Sequence, residues 1–179
     1  MNKNIFFSLS VLSLLLIVIQ LGCSKKSNSN PLTPDNQTSA YGSITLNGSG
    51  YNNTVVNFTA AMGAYSASQG MTNCLEYGKL GSDSILVIIA FAGNTTGNYS
   101  WKEFTQSSSY IDRVAITIYN SAGVTKYFMP KSGGQTSVSK YGAVNQTIEG
   151  SYNGAAQDAA STTIISVTGS FKAARLPDE

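Results

Sequence analysis

The chain has 179 residues, 11 Lys+Arg against 9 Asp+Glu, two cysteines and no histidine. Without imidazole, Ser-His-Asp and Cys-His nucleophile systems and the common zinc sites are excluded. Charge this close to balance argues against nucleic acid, whose backbone is bound by clustered Lys and Arg.

Lys3 opens the chain with a positive charge, and Ile5 to Ile19 form an apolar run of 15 residues broken only by Ser8, Ser10 and Ser13. A membrane-spanning helix wants roughly 20 apolar residues. This run stops at Gln20, just ahead of the small residue that a signal peptidase needs, so a cleaved signal is preferred to an uncleaved anchor helix. Gly22-Cys23 resembles the lipobox of bacterial lipoproteins, where a small residue precedes a cysteine that is acylated and becomes the mature N-terminus. Gln20 and Leu21 stand where that pattern usually has leucine and a small residue. The resemblance implies a signal peptide over residues 1–22, lipidation at Cys23 and attachment to the membrane through the lipid. One acyl chain holds a protein only marginally, whereas two or more make the attachment durable. Ser24 replaces the aspartate that marks inner-membrane retention in the enterobacterial rule, which favours the outer membrane. Lys25 and Lys26 replace the acidic cluster common in surface-exported lipoproteins of the Bacteroidota, so facing toward periplasm or medium stays open.

Ser24 to Ala40 is rich in Ser, Asn, Thr and Gln, with Pro31 and Pro34 in its middle. It has too little apolar surface to order itself. As a coil it would span about 23 Å, enough to hold residues 41–179 clear of a headgroup layer. Those residues make one domain in which eight basic side chains balance eight acidic ones. If Cys23 carries lipid, Cys74 is left alone and no intrachain disulfide is possible. In its apolar setting Cys74 is expected to pack as a small hydrophobe.

From Tyr41 the pattern becomes short alternating runs punctuated by Gly, Asn and Ser, which predicts strands and no helix of length. Ser43 to Leu46 and Thr54 to Met62 flank the turn Asn47-Gly48-Ser49-Gly50, predicting a hairpin. Thr72 to Tyr77 follows, and Ile85 to Phe91 is apolar on both faces, as in a central strand covered on both sides. Asn98 to Trp101 comes next, ahead of a polar stretch at Gln106 to Ser109. Val114 to Asn120 alternates, and Tyr127 to Met129 ends at Pro130, which cannot donate to a ladder. Ser137 to Lys140, Thr147 to Asn153 and Thr163 to Ala173 complete nine or ten strands. The fold class implied is all-β, an antiparallel β-sandwich, with a closed antiparallel barrel as the alternative. The segments Ser137 to Gly142, Ile148 to Gly154 and Ile165 to Lys172 resemble the C-terminal strands of uncharacterised Bacteroidota lipoproteins. That resemblance supports class and compartment and transfers no active site.

Catalytic candidates are few. Ser137-Val138-Ser139-Lys140 has the Ser-x-x-Lys spacing, but on a strand residues three apart point to opposite faces. A carboxylate pair could run a histidine-free glycoside hydrolase, and Glu76, Glu103 and Glu149 are the acids to test, with solvated strand faces as their ordinary reading. No cofactor motif, phosphate loop or calcium loop is present, so no cofactor or metal is expected. Asp83-Ser84-Ile85 resembles the short O-glycosylation motif of Bacteroidota secreted proteins. Alternation puts Tyr99 and Trp101 on one strand face, which makes them candidates for a sugar-binding platform unless that face packs on the core. Together these features favour a lipid-anchored envelope module that binds an envelope protein or glycan, or supports structure, without catalysis.

Overall fold

The computed structural model describes residues 41–103 and 112–179. The signal segment, Cys23, the tether and the Gln106 to Ser109 stretch lie outside the described residues. Ten strands follow in chain order: β1 (Gly42–Gly48), β2 (Tyr51–Ser66), β3 (Met71–Leu80), β4 (Asp83–Ala92), β5 (Gly97–Ser100), β6 (Arg113–Asn120), β7 (Gly123–Pro130), β8 (Gln135–Tyr141), β9 (Thr147–Asp158) and β10 (Ile164–Arg175). Each expected run became a strand, and most are longer than alternation alone marks. Among the described residues no helix is long and apolar enough to cross a membrane.

Turn chemistry sets the hairpins. Ser49 and Gly50 both take positive φ between β1 and β2, the backbone state that suits a tight hairpin and that Gly adopts without steric cost. β4 is central as expected, paired antiparallel with β3 on one edge and β6 on the other. Its inward residues Ile85, Val87, Ile89 and Phe91 are fully buried, and on its outer face Leu86 and Ala90 are buried as well. That is why the run carries no polar alternation. Pro130 ends β7 opposite Ala156.

The all-β expectation holds, and the strands belong to a single sheet whose pairing returns to its start. β1, β2, β3, β4, β6 and β7 pair in succession, β7 then meets β9, β9 meets β10, and β10 meets β1. β8 pairs with Ile148 to Asn153 of β9, ahead of the Ala156 to Asp158 segment that meets β7, and β5 pairs with β8. One pairing is parallel, between β10 and β2 at Ala174 and Arg175. Side chains of strands that are not ladder neighbours meet across the interior. Phe91 on β4 meets Tyr141 on β8 edge-on at 6.3 Å, and Tyr51 on β2 meets Phe128 on β7 at the same distance. The circuit of pairing is closed, a property shared by the closed barrel and by a sandwich joined along both sides.

The interior is apolar, filled by residues such as Ile44, Leu46, Ile116, Ile148, Ile165 and Val167. Burial of this kind contributes about 25 cal/mol per Å² of apolar surface. Beyond β10 the chain stays tied down, with the Leu176 amide donating to Gly63 O at 2.8 Å and the Glu179 amide to Tyr65 O at 2.9 Å.

Candidate functional site

The most unusual group inside the core is Glu76. Alternation along β3 turns Thr72, Cys74, Glu76 and Gly78 inward, and Glu76 is 0% exposed. Two features accommodate a carboxyl there. Tyr152 on β9 donates its hydroxyl to Glu76 Oε2 at 3.3 Å. Gly42 on β1 leaves room for the other oxygen, since a Cβ at Gly42 would lie 2.9 Å from Oε1. Oε1 has no hydrogen-bond partner among the described residues. The Tyr152 ring is in turn bedded on Gly169, where a Cβ would come within 2.3 Å of it, and stacks on Phe171 at 6.5 Å.

Burial penalises the charged form and raises the Glu76 pKa to about 9, with the Tyr152 hydrogen bond pulling the other way. At neutral pH the side chain is therefore an uncharged carboxylic acid, which a sealed apolar core tolerates far better than an anion. Tyr152 is pushed well above the ordinary phenol range by burial first and by Glu76 second. Cys74, two residues away on the same face, is free and buried, and burial also pushes its thiol far up. A neutral acid, a phenol and a thiol can exchange hydrogen bonds, but none is exposed to attack a substrate. Cys74 should accordingly resist iodoacetamide in the folded protein and react on unfolding. Stoichiometric labelling of folded protein, read by mass spectrometry, would contradict its burial.

Solvation was the ordinary expectation for Glu76, and the structure corrects it. The inward and outward sets of β3 both mix polar and apolar residues, so hydropathy does not fix which side faces the core. The usable signal lay in the facing strands, in Gly42 and Gly169, whose missing side chains make the space. Glu103 and Glu149 do remain at the surface, where each is held by its own lysine. Glu103 pairs with Lys131, and Glu149 with Lys140 at 3.1 Å. The Thr147 hydroxyl first of all, with help from Lys140 and Lys172, holds the Glu149 carboxyl below its ordinary range against burial, the second-largest influence. The three acids do not converge: one lies within the core and the other two outside it. No group of three or more metal-ligating side chains gathers among the described residues.

The Tyr99 and Trp101 pair shares a face, and that face turns inward. Trp101 is 2% exposed and donates Nε1–H to Thr136 Oγ1 at 2.9 Å. Its indole fills the space over Gly134 and Gly154, where added Cβ atoms would come within 2.0 and 2.4 Å of the ring. Tyr99 leans on Phe91, with ring centroids 4.9 Å apart, and donates its hydroxyl to Thr95 O at 2.8 Å. Trp101 is thus a core residue and presents no ring for stacking on a sugar. Ser84, in the Asp83-Ser84-Ile85 motif, is half-buried on β4 and accepts a hydrogen bond from Lys79 at 2.8 Å. Cys23, the lipidation candidate, lies outside the described residues. The chain matches no protein-family model, no curated protein and no solved structure.

Proposed function

We propose that this chain is a lipid-anchored module of the bacterial outer membrane that works by binding or by structural support rather than by catalysis. The observation that carries the reading is Gly22-Cys23, placed where an apolar run of signal-peptide length gives way to a polar tether. The domain beyond the tether is in keeping with it. Its buried carboxyl is uncharged at neutral pH and has no second carboxylate beside it among the described residues, so the carboxylate-pair hydrolase finds no support at Glu76. The partner is an envelope protein or an envelope glycan.

The anchor is tested by expressing the parent and Cys23→Ala in a bacterial host fed a labelled fatty acid. The parent is expected in the membrane fraction carrying label. The variant should lose the label and move to the soluble fraction or accumulate as precursor. Label retained by Cys23→Ala would refute the anchor.

A further inference from the structure

The outer face of one wall differs in chemistry from the rest of the surface. Strands β2, β1, β10, β9, β8 and β5 pair antiparallel in that order. Their registers align one cross-strand row as Asn57, Ser43, Ser170, Ser151, Ser137 and Asn98. The next row outward along the strands reads Val55, Thr45, Thr168, Asn153, Gln135 and Ser100. All these residues are exposed or half-buried, and they alternate with buried ones such as Ile44, Val167, Tyr152 and Thr136.

Eleven of these twelve positions carry a hydroxyl or carboxamide, and none carries a charge or an aromatic ring. Charge appears beyond the ends of the array, where Lys172, Glu149 and Lys140 line up across β10, β9 and β8 on one side and Lys102, Glu103 and Lys131 gather past Ser100 and Ala155 on the other. Within the array Ser137 donates to Asn98 Oδ1 at 2.6 Å. The other nine polar side chains make no side-chain hydrogen bond within the protein among the described residues. With strands about 4.8 Å apart and alternate residues about 7 Å apart, the two rows lay hydrogen-bonding groups along about 24 Å of surface.

We infer that this face binds an uncharged polysaccharide. The side chains present discriminate among partners. A protein interface is built around aromatic and Arg anchors and is depleted in Ser, and this face has no such anchor. Nucleic acid requires Lys and Arg, and a lipid surface requires an apolar face or basic residues. Sugar hydroxyls donate and accept at once, as do Ser and Thr hydroxyls, while carboxamides offer both functions on one planar group. A neutral array suits a neutral polymer. Each contact is weak, so affinity comes from many repeats engaging together.

This inference deepens the binding half of the function proposed above and is independent of the anchor. Detergent-solubilised full-length protein is mixed with washed particles of cellulose, chitin and α-mannan, and with alginate beads as an anionic control. Retention is expected on at least one neutral polymer and should persist in about 1 M NaCl, where exposed charge pairs are screened. Trisaccharides of the same sugar should compete poorly. Ser151→Glu and Thr168→Glu, each at the middle of a row and pointing outward, should each reduce retention about ten-fold by setting a charge that must be desolvated against a neutral polymer, with the parent's melting temperature kept. If one of them melts lower, the other decides. No retention on any neutral polymer, a preference for alginate, or undiminished retention by a variant that melts like the parent would overturn the proposal. Any of those results leaves the Cys23→Ala fractionation untouched, and a failed anchor leaves this assay unchanged.

Discussion

Glu76→Gln is expected to melt at nearly the same temperature at pH 5 and pH 8, whereas the parent should melt lower at the higher pH. The folded protein keeps the Glu76 proton up to about pH 9, while the unfolded chain releases it near the ordinary value of 4.5. Between those values the native state holds a proton that the unfolded state has lost. Stability then falls as pH rises, by at most about 1.4 kcal/mol per unit. From pH 5 to pH 8 this amounts to about 4 kcal/mol, or about 10 °C in melting temperature for a domain of this size. Glutamine keeps the volume and the oxygen that accepts from Tyr152, and it has no proton to lose. Asp158 and Glu149 act in the other direction, because their carboxyls are held below their ordinary values. Their contribution is present above the unfolded pKa and lost as pH falls through the folded one, so the parent should also weaken below about pH 4. Differential scanning calorimetry from pH 3 to pH 9 checks both limbs. A parent with a level melting temperature between pH 5 and pH 8, or a variant that keeps the parent's slope, would show that Glu76 is not a neutral acid in the core.

The second large effect belongs to Trp101. Trp101→Ala should cost about 3–5 kcal/mol, the range for truncating a large buried aromatic, and it strands the Thr136 hydroxyl inside the core. The reciprocal change is Gly154→Ala. Its new Cβ would fall 2.4 Å from the indole and 2.7 Å from the Gly134 Cα. Backbone and ring bracket the site, so β8 or the indole must be displaced. Trp101 is the single tryptophan of the chain, which makes its fluorescence a direct reporter. Folded parent should emit as a buried indole and shift to the red on unfolding, and Gly154→Ala should unfold at lower urea. A Gly154→Ala protein with the parent's midpoint and emission would mean the indole does not occupy that space.

Much of the strand inventory is visible before any coordinates. The alternation of Val114, Ile116 and Ile118, the two-faced run at Ile85 to Phe91, and the Gly and Asn turns are local signals, and strands formed at each. Two things are not local. One is the order of pairing, since nothing in Ile164 to Arg175 states that this strand will lie beside both β1 and β9. The other is which face of an ambiguous strand turns inward. On β3 the choice between the Thr72-Cys74-Glu76 set and the Asn73-Leu75-Tyr77 set is decided by glycines on strands far away in sequence. Tyr99 and Trp101 show the same limit. Alternation places them on one face correctly, but only Gly134 and Gly154 make that face a core face. The neutral array is not legible in the chain for a related reason: its rows run across the strands and their members are scattered singly along the sequence.

The place of β10 also constrains how the domain can be made. The last strand in chain order among the described residues pairs with β1, β2 and β9 at once, so the sheet cannot close until β10 has been made. Contacts between distant segments slow folding, and until Ile164 to Arg175 arrive, the edge of β1 that will meet β10 has no partner. Such an edge pairs readily with other chains. A chain ending before β10 leaves an adhesive fragment and not a smaller version of the fold.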